Sequence, residues 1–473
     1  MAPYSALDGK PAWNSDHDLL TFQVFRDALL AILTIFLVRY VYNNFFSSTS
    51  SNSTITSTST TESETTLPPN LTIPDIIRTT CQNHITSALS TLKQHDVHPH
   101  RGFLPSSDPS IRLTDPRCKE WESVGTTLPD LLSTGQCRLT IRQMQLVNDW
   151  ALAIGESREQ QRRALLLLSA MANAYLWCDP DLILDVIPKN ISIPLCGVAK
   201  RLGIQPALVH ASIVLVNWRR LNPNGPIDTT NITTLVDLLG GRDEKWFFLL
   251  TVEIEAKGAP SVVRCLLLLE AVTMIRKMLN NSSVGGNGGT ADCRDDNSSN
   301  TVVDIIPWMC WMTSLLSEVQ ETIEGMTLSF QKMSKKCDPY IFYHRVRPFL
   351  SGTKGNPTIP NGVVYDGCYD NKHMQCSGGS AAQSSLLPVL DATLGVQHKG
   401  DDTALFINEM REYMPKEHRK FILHVHKVAE STGDVSTLLN ELNCEKKRME
   451  EKEKRVVEEK ETEKEKEKSD FDQ

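Results

Sequence analysis

The chain has 473 residues, 40% of them hydrophobic, with a formal net charge of −8. That length allows two or three domains, or one large domain with tails. The acidic balance argues against a nucleic-acid-binding surface. Twelve cysteines and twelve histidines are scattered along it, with no CxxC, no HExxH and no zinc-type spacing. The cysteines read as free thiols of a reducing, cytoplasmic compartment.

In chain order, Ala28 to Phe46 is an apolar stretch of nineteen residues interrupted by Arg39. It reads either as an N-terminal membrane anchor or as an amphipathic leader. A spanning helix needs about 20 apolar residues, and a central Arg costs ~2.5–3.5 kcal/mol. Sixteen of the twenty residues in 47–66 are Ser or Thr, so 47–73 is expected to be a linker without a core. Glycosylation sequons begin at Asn52, Asn70, Asn190 and Asn231, among others; such sequons arise often by chance and fix no compartment.

From 74 to 443 the pattern is mostly helical, with a small unit over 74–226 and a larger one over 227–443. Helices are expected over Ala164–Trp177, Ile204–Arg220 and Val262–Leu279. Trp246–Ile254 fits helix or strand on periodicity alone. Asn280–Asn300 reads as a loop. A helix is expected to start near Pro307, run to about Lys335 and stop at Asp338-Pro339. The Gly-, Pro- and Asn-rich stretch from Gly352 to Gly379 reads as a long loop, and loops of that length are usually functional. The Glu/Lys block over 444–473 fits a solvated helix or a plain charged tail.

The chemistry concentrates in residues 342–385. Arg347 lies four residues after Tyr343 and five after Phe342. On a helix, Tyr343 and Arg347 share a face. A guanidinium takes a carboxylate through two parallel bonds, and aromatic neighbours suit an aromatic amino acid. The same spacing also fits a surface arginine covering a core aromatic. In Gly378-Gly379-Ser380-Ala381 the glycines allow close backbone approach. Ser380 with Gln383 has capping-box spacing. Phe247-Phe248-Leu249-Leu250-Thr251 taken alone reads as core.

Together these segments resemble the indoleamine 2,3-dioxygenase family. The resemblance is carried by Phe342 to Arg347 with Leu350-Ser351-Gly352-Thr353-Lys354-Gly355-Asn356-Pro357, and by Gly378 to Ser385. Met410-Arg411-Glu412-Tyr413-Met414-Pro415 with His418-Arg419 adds to it, as do Ile187-Pro188-Lys189-Asn190-Ile191 and Ile254-Glu255-Ala256-Lys257-Gly258-Ala259. It runs in order over roughly residues 120 to 425.

The resemblance implies an all-α, two-domain haem dioxygenase fold. It implies haem b iron and O2 opening the indole ring of L-tryptophan to N-formylkynurenine, in a monomer. Carried over, Arg347 takes the carboxylate, Phe342 and Tyr343 wall the indole, and Phe247 and Thr251 line the distal side. Gly378, Gly379, Ser380 and Ala381 form the loop beside substrate and a haem propionate. Thr251 replaces a common serine, Tyr343 a common phenylalanine and His210 a common tyrosine.

One element departs from the pattern. The family's iron-ligating histidine would fall near residue 460, inside the Glu/Lys tail, and no histidine follows His426. Three readings stand: a gene model missing its last exon, a non-catalytic paralogue that binds a ligand or partner, or His424 or His426 as substitute ligand.

Overall fold

The computed structural model describes residues 77–284, 297–398, 401–444, 446–448, 451 and 455. The apolar stretch 28–46, the linker and almost all of the Glu/Lys tail lie outside the described residues. What is described is mostly helical, in keeping with the expected all-α class.

The principal helices are α1 (Arg78–Gln94), α2 (Arg158–Trp177), α3 (Lys189–Leu202), α4 (Arg242–Val284), α5 (Asn297–Phe330), α6 (Leu386–Leu394), α7 (Asp401–Arg411) and α8 (Lys416–Thr432). Short strands accompany them: β1 (Val186–Ile187), β2 (Arg219–Arg220), β3 (Ile232–Thr233), β4 (Val363–Tyr365) and β5 (His373–Met374). β4 pairs parallel with β1 and antiparallel with β5, with Val186 opposite Val364 and Val363 opposite Met374. β2 and β3 pair antiparallel.

Two apolar cores form. The first draws on residues 104 to 252 and again on 346 to 413, around α2 and α3. The second joins α1, the C-terminal half of α4, α5, α6 and α8. α2 begins where Ser157 accepts the Gln160 amide, and from Ala164 to Trp177 every residue is buried, so it is a core helix with no solvent face. Trp121, Trp218 and Trp311 are fully buried.

α4 belongs to both cores, through Leu249 and Val252 at one end and Val262 to Ile275 at the other. This resolves Trp246–Ile254 as helix and fuses it with the expected helix over Val262–Leu279. Pro260 sits inside and removes one amide donor. Next to it, Arg264 donates to the Pro260 carbonyl at 2.8 Å and to Glu318 at 2.5 Å, tying α4 to α5. Its stretch Arg242–Asn281 is apolar and long enough to cross a membrane, but it is mostly buried inside the protein and serves as a core helix.

Three local expectations are corrected. Residues 204–220 form only a short helix, His210–Ile213, and then turn into β2. The Asn217 side chain takes the Leu235 and Val236 amides and gives to the Val236 carbonyl, so tertiary bonds override the local helical pattern. Residues 280–284 and 297–300, expected in a loop, belong to the end of α4 and the start of α5, which places Pro307 inside a helix; 285–296 lie outside the described residues. The stretch Gly352–Gly379 contains β4 and β5. The sequons at Asn190 and Asn231 are buried, and Asn190 donates to the Ile141 and Met144 carbonyls.

Candidate ligand pocket

The candidate site is built from α4, the 342–351 segment and the 378–384 loop. On α4, Phe247, Thr251, Ile254 and Gly258 recur at helical spacing and share a face. Thr251 Oγ1 donates to the Phe247 carbonyl at 2.8 Å, which fixes its rotamer. The Phe247 ring lies 4.3 Å from the Phe342 ring, centroid to centroid, at 35°. These two half-buried rings form an aromatic slab on the first core.

Phe342–Val346 is a π-helical turn, and the Arg347 amide bonds back to the Phe342 carbonyl. The cause lies in Pro348, which has no amide to give and whose ring crowds the carbonyl four residues earlier. The widened turn still places the Arg347 guanidinium over the Tyr343 ring, 5.1 Å from its centroid. Tyr343 is 44% exposed, so its ring lies at the surface with the guanidinium over one face.

The 347–351 helix end is held from behind by α2. Asn173 Nδ2 donates to the Phe349 carbonyl at 2.9 Å, and Trp177 Nε1 to the Ser351 carbonyl at 3.1 Å. In front, the Gly379 amide donates to the Leu350 carbonyl at 3.1 Å. Gly378 and Gly379 therefore lie directly beside the segment that carries Arg347.

Ser380 caps the short helix Ala381–Gln383 by accepting the Ala382 amide at 3.2 Å, and its own amide faces Gln383 Oε1 at 3.4 Å. Gln383 Nε2 donates to the Gly378 carbonyl at 2.7 Å, while Gln383 Oε1 accepts the His210 amide at 3.0 Å. Behind the loop, Glu255 Oε1 sits 3.0 Å from His210 Nε2 and accepts Ser384 Oγ at 2.6 Å. All three of these side chains are buried. A buried carboxylate shared by an imidazole and a hydroxyl locks loop, α4 and the 210–213 helix together.

The structure thus joins Phe342 to Phe247, Tyr343 to Arg347, and Gly378 and Gly379 to Leu350. Sequence reasoning missed the supporting roles of Asn173, Trp177 and Glu255. Asn173 and Trp177 act on carbonyls 176 and 174 residues away, so no local pattern marks them.

His424 and His426 stand on α8, which sends Phe421, Ile422 and Val425 into the second core. His424 is exposed beside His95, ring centroids 6.2 Å apart, and His426 Nε2 lies 2.9 Å from Arg411 Nη2. Among the described residues, no group of three or more His, Cys, Asp or Glu side chains is arranged to hold a metal ion.

A family model described as indoleamine 2,3-dioxygenase matches residues 91–287 and 295–453. Among curated proteins, indoleamine 2,3-dioxygenase of Saccharomyces cerevisiae is 32% identical over 72% of this chain and 71% of its own length. Indoleamine 2,3-dioxygenase 2 of Mus musculus is 31% identical over 73% of this chain and 75% of its own. Indoleamine 2,3-dioxygenase 1 of the same species is 31% identical over 70% and 73%. The group that family implies is haem, and the residues present fit it on one side only. The aromatic slab, the Arg347–Tyr343 pair and the glycine loop are in place. Among the described residues the two histidines named as substitute axial ligands, His424 and His426, sit on α8, one exposed beside His95 and the other against Arg411.

Proposed function

The chain belongs to the indoleamine 2,3-dioxygenase family, whose members are dioxygenase oxidoreductases, and we propose that its pocket binds L-tryptophan for oxidative ring opening to N-formylkynurenine. The observation that carries this is the pairing of Arg347 over Tyr343 beside the Phe247–Phe342 slab. Arg347 takes the carboxylate through its planar fork, and Tyr343 holds the guanidinium by its ring face. The indole lies against Phe342 and Phe247. Aromatic contact of this kind contributes ~0.5–1.5 kcal/mol beyond area burial. The Gly378–Ala381 backbone closes over the amino-acid end, held by Gln383 and Glu255. The Thr251 methyl narrows the distal side relative to a serine.

In the family, haem b with O2 supplies the oxygen chemistry. Without an axial imidazole on the pocket side, no step through iron follows from these residues. That observation favours a second reading, a non-catalytic member that binds a tryptophan-like ligand.

One experiment separates them. The full chain is mixed with haem, its visible spectrum is recorded with and without L-tryptophan, and L-tryptophan binding is measured by calorimetry on wild type and Arg347→Ala. A sharp Soret band that moves on ligand addition supports the dioxygenase. Arg347-dependent binding with a broad, free-haem-like band supports the ligand-binding member. Binding that ignores Arg347 sinks both.

A further inference from the structure

A cavity of about 140 Å3 lies where the two apolar cores meet, lined by α2, the end of α3 and the first turn of α8. One water needs only ~10–15 Å3 of such space. Leu165, Ile204 and Leu215 of the first core and Phe103 of the second give it an apolar wall. None of the residues of the candidate ligand site lines it.

The polar wall is cationic. Arg158, Arg162, Arg201 and Lys416 line it with two carboxylates, Asp96 and Glu417, a surplus of two positive charges. Arg158 Nη1 and Arg162 Nη2 both bond to Asp96 Oδ2, at 2.8 and 2.5 Å. One carboxylate between two guanidiniums cancels one charge and occupies one of the five donors on each. Glu417 is engaged by Lys420 at 3.0 and 3.2 Å. Arg201 is held by bonds from Nη1 to the Gly155 and Ala151 carbonyls at 2.9 and 3.3 Å. Its pairing with Glu156 at 3.9 Å is weak, because that carboxylate's side chain is 93% exposed. Arg158, Arg201 and Lys416 are exposed, which gives a ligand its way in.

Two further kinds of donor converge on the cavity. His418 lines it and is 2% exposed. Its Nε2 has no hydrogen-bond partner among the described residues, although the Asp96 carbonyl pulls on the ring. Ser385 Oγ lies 3.5 Å from Nδ1, and a hydroxyl donating there leaves the proton on Nε2. α8 starts at Lys416 with Pro415 at its N-cap, and no side chain caps its first amides. The amides of Lys416, Glu417 and His418 are thus the positive end of a 17-residue helix.

We propose that this cavity is a binding site for a phosphoryl group, carried by free phosphate or by a small molecule whose apolar body rests against Phe103 and Leu165. A phosphate dianion matches the surplus of two charges, whereas a single carboxylate would leave one uncompensated. A tetrahedral oxyanion also accepts from several directions at once, which suits guanidinium, ammonium, imidazole and backbone donors around one cavity. Because those donors come from α2, α3 and α8, the bound anion ties the first core to the second and raises the stability of the folded chain by linkage. The site does not rest on the function proposed for the Arg347 pocket.

The test uses the full chain in phosphate-free buffer at constant ionic strength. Inorganic phosphate and phenyl phosphate are titrated by calorimetry, and hydrogen exchange at 416–418 is compared with and without phosphate. The variants are Lys416→Gln, Arg162→Gln and, as a control outside the cavity, Arg347→Ala. The expected result is one-to-one binding with a higher Tm and slower exchange at 416–418. Lys416→Gln and Arg162→Gln each weaken it about tenfold, the loss of one charge-assisted bond, and Arg347→Ala leaves it unchanged. Lys416 is exposed, so its variant decides alone if Arg162→Gln does not fold. Tighter binding of phenyl phosphate than of phosphate assigns the source to a phosphorylated small molecule; equal or weaker binding assigns it to free phosphate. Absence of saturable binding would overturn the site. So would binding that Lys416→Gln leaves intact, or unchanged exchange at 416–418.

Discussion

Gly352 and Gly378 meet backbone to backbone. A Cβ on Gly352 would stand 2.2 Å from the Gly378 amide nitrogen, and a Cβ on Gly378 would stand 2.1 Å from the Leu350 carbonyl oxygen. Only hydrogen fits at either position, and neither neighbour is a side chain that can swing away. This contact lets the end of the Arg347 segment and the loop over the pocket lie side by side.

Gly378→Ala is therefore expected to destabilise the fold by about 1–3 kcal/mol, as overpacking against rigid atoms does. It should also weaken L-tryptophan binding, because the loop is displaced from Arg347. Urea unfolding gives the first number and calorimetry the second. An unchanged midpoint would mean that the two segments are not in contact.

Arg347→Ala is expected to lower L-tryptophan affinity by roughly 10- to 100-fold, the loss of charge-assisted bonds worth about 1.5–3 kcal/mol. Arg347→Lys keeps the charge but loses the fork, and should recover only part of that loss. Titration calorimetry on both variants checks this; equal affinity for Arg and Ala would remove the clamp.

Glu255 serves His210 and Ser384 with one oxygen. Glu255→Ala leaves both groups buried without their acceptor, and a loss of ~3–5 kcal/mol is expected. Glu255→Gln keeps the shape and an acceptor and should cost less. Chemical denaturation of both variants gives the comparison, and a tolerated Ala would show that the loop is held by other bonds.

His418 sets a pH dependence. Burial pushes its imidazole down to about 3, against the opposing pull of the Asp96 charge. The unfolded chain binds that proton near pH 6.5, so the unfolded state holds more protons below this pH. The stabilisation is present above pH 6.5 and is lost as pH falls toward 3, at a slope approaching ~1.4 kcal/mol per pH unit. Burial lowers His95 and His426 as well, so they act in the same direction. Burial pushes Glu253 up, but bonds from Lys332, Ser329 and Thr229 outweigh it and hold the carboxyl well below its usual range, so its loss begins only below about pH 4.5. Urea midpoints between pH 7 and 5 should fall for wild type and fall less for His418→Gln. Parallel lines for the two proteins would show that His418 is not the group concerned.

The sequence by itself determined the elements whose signal is local. α2 was legible because an apolar block follows a charged first turn, the Ser380–Gln383 cap because its partners stand three residues apart, and the Tyr343–Arg347 pair because four residues make about one helical turn. It also showed directly that no histidine follows His426, since that is a matter of composition.

Tertiary structure decided what depends on distant partners. Residues 204–220 carry a helical pattern, yet Asn217 bonds to the 235–236 backbone and turns the chain into β2. Trp246–Ile254 fitted two periods until packing on both cores made it one helix with the residues after Pro260. Asn173, Trp177 and Glu255 became visible as supports of the pocket only once the fold closed. Their carbonyl and hydroxyl partners lie more than a hundred residues away, and a hydrogen bond across that separation leaves no periodicity in either segment.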